Sequence, residues 1–278
     1  MKGDLYVVST PIGNLEDITL RALRVLKEVD IIAVEDTRRT IKLLNHFDIS
    51  KPMISYYREK ERVRSQEVID KINDGFSAAL VTDAGTPGIS DPGEVLVKEA
   101  IAAGINVIAI PGATAHTAAL SISGLPTGRF TFAGFLSSKP THRKKQLAEL
   151  KGIDNTLVFY EAPHRILEFL DDLFEVFGNR EMSLSREITK MYEETLRGSV
   201  SYVLEEIKER TIAGEYVAVV AGIEPVSVSF ADALKEVRGL ISAGAKRKEA
   251  VEEVSLATGI SKKLLYKESL ETDGVSNI

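Results

Sequence analysis

The chain contains no cysteine, and that absence excludes disulfides, thiolate zinc sites and cysteine nucleophiles together. Its four histidines, His46, His116, His142 and His164, are scattered and show no ligand spacing of the H-E-x-x-H kind, so no metal site is expected. Long apolar runs are missing too, since none reaches the roughly 18 residues of a spanning helix. The amino terminus passes directly into a strand-like segment with no signal-peptide pattern. A cytoplasmic protein without membrane association is the expectation. No G-x-G-x-x-G occurs, which argues against a conventional dinucleotide site. Gly239 and Gly244 are spaced as in a phosphate-binding loop, but they follow a helical pattern and precede Ala245-Lys246, so the context fails. Basic charge is not in excess. The 35 Lys and Arg stand against 41 Asp and Glu, a net charge of −6 that sits awkwardly with a polyanionic substrate.

What is present is a set of glycine- and proline-rich loops. The 278 residues, 44% of them hydrophobic, suffice for two α/β domains and a small appendage. The apolar run that includes Val81 ends in Thr-Asp-Ala-Gly-Thr-Pro-Gly-Ile-Ser-Asp-Pro-Gly93, after which a helical pattern resumes. In open α/β sheets ligands collect at such strand ends, where glycine lets the backbone approach closely. Val7-Val-Ser-Thr-Pro-Ile-Gly-Asn14 and Ile110-Pro-Gly-Ala-Thr-Ala115 repeat the arrangement.

The first half alternates strand runs with helical patterns, reading as βα units around a mostly parallel sheet. Strands are expected at 5–10, 31–34, 78–82 and 107–110, and helices at 18–27, 62–74 and 94–102. A break follows near Ser123 to Arg129 and continues through the polar segment Ser137 to Arg143. The second half reads as a mixed sheet, with strands at 156–160, 182–186 and 216–221 and helices at 165–177 and 200–210. After Pro225 the pattern is wholly helical, at 231–242, 245–258 and 261–268, which suggests a helix-turn-helix-like appendage. The expected domains are 1–122, 123–228 and 229–278.

These three loops, with Glu35-Asp36-Thr37-Arg38, Phe159-Tyr-Glu-Ala-Pro-His-Arg165 and Ser185-Arg-Glu-Ile-Thr-Lys190, resemble the tetrapyrrole methylase superfamily of S-adenosylmethionine-dependent enzymes. The resemblance covers nearly the whole chain. Within the superfamily it points to the branch that methylates the ribose 2'-hydroxyl of a cytidine in 16S rRNA, near the decoding centre of the 30S subunit. Two departures from the tetrapyrrole-using relatives agree with that branch: Gly85-Thr86-Pro87 replaces Gly-Asp-Pro, and Pro-Ile-Gly-Asn replaces Gly-Pro-Gly-Asp.

The resemblance implies an α/β fold of two domains with the cofactor, S-adenosyl-L-methionine, in the cleft between them. It places Pro11, Ile12, Ala84, Gly85, Thr86, Ile89, Thr114, Ala115, Tyr160 and Glu161 at the cofactor. It also implies a homodimer.

The acceptor side is read from charge. A ribose hydroxyl needs a base, and Asp36 is the candidate because it follows a strand on the cleft edge beside arginines able to hold phosphate. The competing reading is that Glu35 and Asp36 pair with Arg38 and Arg39 to brace the loop. Arg186 is a second candidate catalytic residue, in a charged group with Glu187, Lys190 and Glu193. Arg38, Arg39, Arg165, Lys190, Lys262 and Lys263 are the candidate rRNA contacts. A methylase of a tetrapyrrole or other small molecule, and a DNA-binding regulator using residues 230–270, are the alternative readings.

Overall fold

The computed structural model describes residues 2–223 and 229–270, which form two compact units divided at residue 223. The first unit contains β1 (Leu5–Val8), α1 (Leu20–Glu28), β2 (Ile31–Val34), α2 (Thr37–His46), β3 (Met53–Ser55), α3 (Glu61–Asn73), β4 (Ala78–Val81), α4 (Glu94–Ala102), β5 (Val107–Ile110) and α5 (Ala115–Ile122). It continues with β6 (Phe130–Phe135), α6 (Pro140–Leu150), β7 (Thr156–Glu161), α7 (Ile166–Phe177), β8 (Glu181–Arg186), β9 (Glu194–Ser199), α8 (Val200–Lys208) and β10 (Tyr216–Val220). The second unit holds α9 (Phe230–Ser242), α10 (Arg247–Thr258) and α11 (Lys262–Leu270).

Two five-stranded sheets make up the first unit. One has the order β3-β2-β4-β1-β5, and each of its pairings is parallel, with Leu5 opposite both Ala78 and Val107. The β-branched and alanine runs of β2 and β4 are buried along their whole length, as a parallel sheet covered by helices on both faces requires. The other sheet, β6-β7-β10-β8-β9, is mixed: β6 runs parallel to β7 and the remaining pairs are antiparallel. This is the α/β architecture expected from the sequence.

Local chemistry sets several boundaries. Thr19 opens α1 by accepting from the Ala22 amide at 3.0 Å, and Ser199 opens α8 through the Tyr202 amide. Behind the second sheet, Leu157, Phe159, Leu170, Leu173, Val203 and Ala218 pack as one apolar core.

Several features of this unit lie outside the sequence expectations. Helix α2 and strand β3 were not anticipated. The region read as a break and a polar segment contains β6 and the start of α6, and the polar strand β9 forms a sheet edge. β6 escapes a period-two reading because its register shifts between Phe132 and Gly134, a bulge that interrupts the alternation.

In the second unit, α9, α10 and α11 close on Ala233, Val237, Ala250, Val251, Val254 and Leu265. Ser229 caps α9 by accepting from the Asp232 amide at 3.1 Å. Among the described residues no helix is long and apolar enough to cross a membrane.

Candidate active site

The carboxyl ends of β1, β2, β4 and β5 meet the ends of β6 and β7 and the start of β10 around one cavity of about 540 Å³. That volume is in the range of small-molecule sites. The loops are locked to each other by their own backbone. Thr10 and Gly85 exchange amide hydrogen bonds of 2.8 and 3.1 Å, and the Ser9 and Thr86 hydroxyls are 2.7 Å apart. Gly85 sits at φ +83°, a left-handed conformation in which any side chain is strained, although a Cβ there would meet Ile12 only at an ordinary 3.5 Å.

Most of the residues assigned to the cofactor converge here. Ile12, Ala84, Gly85, Thr86, Ile89, Thr114, Ala115, Tyr160 and Glu161 all line the cavity; Pro11 is buried behind it and does not. The Tyr160 hydroxyl accepts from the His116 amide at 3.0 Å, and burial pushes the phenol up to about 12, so it stays protonated. Glu161 is 1% exposed. Its Oε1 meets Arg165 at 2.6 Å and accepts from the Ala162 amide at 2.8 Å, while Oε2 is buried without a hydrogen-bond partner among the described residues.

The sequence reading missed the acids that complete the wall. Glu35, Asp83, Asp91 and Glu215 also line the cavity. Burial, with Glu35 and Asp83 close by, pushes the Asp91 carboxyl up to about 6. Burial likewise holds Glu35 and Asp83 above the ordinary carboxylate values. The density of Asp and Glu in the strand-end loops carried a signal. Which of them face inward did not follow from it.

The acceptor-side candidates fare differently. Asp36 does not line the cavity: its Oδ1 accepts from the Arg38 amide at 2.8 Å, capping α2, and its Oδ2 meets the Arg38 guanidinium at 2.7 Å. Those bonds from Arg38 hold its carboxyl down at about 2, which makes it a poor base. The bracing reading therefore describes Asp36, with one change of partners: Arg39 pairs with Asp83 at 3.4 Å and itself lines the cavity.

Arg186 is also outside the cavity. Alternation along β8 turns it to the side of Leu184, Leu196 and Ile207, where it meets Glu194 at 3.3 Å and the Thr211 carbonyl. Arg165 is committed to Glu161, and Lys190 to Glu187 at 2.8 Å and Glu215 at 3.2 Å. In the second unit Lys262 pairs with Glu252 at 2.8 Å, whereas Lys263 is exposed. His164 also lines the cavity.

Residues 4–223 match the model of the Tetrapyrrole (Corrin/Porphyrin) Methylases. The chain belongs to the tetrapyrrole methylase family. Two curated relatives cover nearly all of it, and each carries the name ribosomal RNA small subunit methyltransferase I. The one from Halalkalibacterium halodurans is 47% identical over 95% of this chain and 94% of its own. The one from Synechocystis sp. is 46% identical over 98% of this chain and 99% of its own. Among solved structures, a tetrapyrrole methylase from Thermus thermophilus, uroporphyrin-III C-methyltransferase complexed with S-adenosyl homocysteine, superposes with a TM-score of 0.56. It is 19% identical, covers 79% of this chain and 97% of its own, and supports the fold.

Proposed function

We propose that this tetrapyrrole methylase family member transfers a methyl group from S-adenosylmethionine to a ribose 2'-hydroxyl of a cytidine in 16S rRNA. The observation that carries the reading is the cavity itself: strand-end loops of small residues enclose a space of small-molecule size whose wall has several carboxylates and one buried, unpartnered Glu161 oxygen. Such a wall suits a ligand that brings positive charge and hydrogen-bond donors. S-adenosylmethionine has both, in its sulfonium, its ammonium and its adenine and ribose donors. The donor supplies an electrophilic methyl and leaves as a neutral thioether, so the protein's part is positioning and the exclusion of water.

Ala84 to Thr86, Thr114 and Ala115 offer backbone groups and small side chains for close approach. Ile12 and Ile89 provide apolar walls. The Thr86 hydroxyl is already engaged by Ser9, so Thr86 contributes through its backbone. Glu35 and Asp83 replace Asp36 as the acceptors of the hydroxyl proton, since they face the cavity and are held above ordinary carboxylate values. Arg39, on the same cavity, is the best-placed cation for an rRNA phosphate.

The choice of rRNA over a tetrapyrrole rests on the relatives. Those at 46% and 47% identity over nearly the full chain are named for ribosomal RNA, whereas the tetrapyrrole enzyme stands at 19%. Residues 229–270 fit a docking role, with Lys263 and Lys267 exposed on α11. The partners are then the 16S rRNA or the 30S subunit, in the cytoplasm. We also read the chain as a homodimer, supported by an apolar groove along edge strand β5, where Val97, Ile101, Val107 and Ala109 lie together.

Incubation with methyl-labelled S-adenosylmethionine and 30S subunits, free rRNA or a tetrapyrrole precursor tests the reading. Label is expected on a ribose of the small-subunit rRNA. Label on the tetrapyrrole alone would overturn it. Sedimentation at micromolar concentration should give the mass of two chains.

A further inference from the structure

We infer that Phe135 is the stacking platform for the base of the nucleotide being methylated; the inference rests on the ribose-methylating function proposed above. We take the target nucleotide to leave its stack as its ribose enters the cavity, since unstacked bases are the ones that RNA-binding sites hold on aromatic side chains. The protein must then replace the lost stacking, and an exposed aromatic face does so.

Phe135 lines the cavity and is nevertheless 54% exposed. Its ring lies 5.5 Å from that of Tyr160 in an edge-on arrangement, which leaves a face for another ring. Phe132 stands behind them, 5.0 Å from Tyr160 and stacked at 4.6 Å on His116, so the aromatic group is firmly backed.

The backbone places this ring by an irregularity. Along β6, Phe132 packs with Val158 and Tyr160 on the cavity side of the sheet, and Ala133 packs with Leu157 and Phe159 on the other. Strict alternation would put Phe135 on the side of Ala133. The register instead shifts between Phe132 and Gly134, Phe135 comes opposite Tyr160, and Leu136 joins Leu157 and Phe159. The bulge thus inverts the side on which Phe135 falls and sends an apolar ring to a half-exposed cavity wall. Gly134 makes it possible. It sits at φ +62°, and a Cβ there would meet the Ser90 hydroxyl at 3.3 Å. A bulge that moves a phenylalanine out of an apolar core and onto a polar cavity gives up burial, which points to a ligand that restores it.

The test uses the full chain and 30S subunits from cells lacking the methylase. Phe135→Ala is expected to lower kcat/KM for the subunit roughly tenfold or more, the loss of one base–aromatic stack, with affinity for S-adenosylhomocysteine within twofold of wild type in calorimetry. Phe135→Tyr and Phe135→Trp should restore turnover. Phe135→Leu, apolar but without a π-face, should not. Because the chain has no tryptophan, Phe135→Trp also creates a single tryptophan, whose selectively excited emission should be unmoved by S-adenosylhomocysteine.

Equal methylation by Phe135→Ala would overturn the inference while leaving the proposed function standing. Full activity of Phe135→Leu would reduce the residue to apolar filling. A parallel loss of S-adenosylhomocysteine affinity, or a shift of the tryptophan emission on adding it, would assign the ring to the methyl donor instead. Wild-type protein that transfers no label to the subunit would remove the function and the inference together.

Discussion

Between α6 and α7, Arg143 is 1% exposed, and its guanidinium meets Asp172 at 2.6 Å and Glu168 at 3.4 Å while Lys144 reaches Glu175 at 2.6 Å. Around the cavity, Glu35, Asp83, Asp91, Glu161 and Glu215 share a wall in which Arg39 answers Asp83 at 3.4 Å, Arg165 answers Glu161 at 2.6 Å and Lys190 answers Glu215 at 3.2 Å, while Glu35 and Asp91 make no ion pair among the described residues. The same residue types thus serve opposite purposes. In the first cluster every acid faces a cation, which ties two helices together. The second leaves Glu35 and Asp91 without a cation, and burial raises both carboxyls, a state that a cationic ligand would relieve.

The largest effect should come from breaking the compensated cluster. Arg143→Ala leaves Asp172 without its main partner, and removing one member of a buried pair destabilises by about 3–5 kcal/mol. Urea unfolding should show that loss, while the folded variant keeps its S-adenosylhomocysteine affinity. If affinity fell as well, the two clusters would not be independent.

Asp91→Asn is the matching change at the cavity. We expect S-adenosylhomocysteine, which retains the ammonium, to bind about tenfold more weakly at pH 7.5, one carboxylate contact's worth. Wild-type affinity should itself weaken roughly tenfold between pH 7.5 and 5, because a carboxyl pushed up to about 6 is then mostly protonated. A variant that kept the wild-type pH dependence would show that another group titrates.

The stability of the ligand-free protein should move the other way. A carboxyl held above its ordinary value binds its proton more tightly in the folded state. Its contribution is therefore present below about pH 4 and lost as pH rises through 6. Asp91→Asn should raise Tm at pH 7.5 by about 1–3 °C, a modest figure because the site is partly hydrated. The difference should vanish by pH 4. Persistence of the gain at low pH would mean that the amide stabilises by packing.

The smallest effect carries the same contrast to the second unit. Lys262 is paired with Glu252, whereas Lys263 and Lys267 are exposed and make no ion pair among the described residues. Replacing Lys263 and Lys267 together by alanine should lower the slope of log affinity against log salt for 30S subunits by roughly 1.4–1.8. Lys262→Ala should change it less. Equal effects, or none, would remove α11 from the rRNA contact.

Much of this was legible beforehand. Strands 31–34 and 107–110 and helix 94–102 fall where apolar periodicity put them, because each is a regular run closed by turn residues. The strand-end loops were legible for a related reason, since glycine and proline mark backbone geometry directly. Asp36 stayed ambiguous in the sequence because a carboxylate after a strand reads alike as a helix cap or a base, and its 2.8 Å bond to the Arg38 amide supports the cap. Arg186 could not be placed from the sequence because its face depends on the register of β8 against β10.

By itself, then, the sequence determined the class of fold, the more regular of its strands and helices and the loops that would meet at the strand ends. Those are properties of local periodicity and backbone preference, which act over a few residues. The tertiary structure alone decided which acids face the cavity, which cations are already spent on partners, and that a one-residue shift in β6 turns Phe135 toward it. Those outcomes depend on register and on the approach of residues as distant as Asp83 and Asp36, or Gly134 and Ser90. No local pattern encodes them, because the free energies that select them come from contacts made only when both sheets have closed.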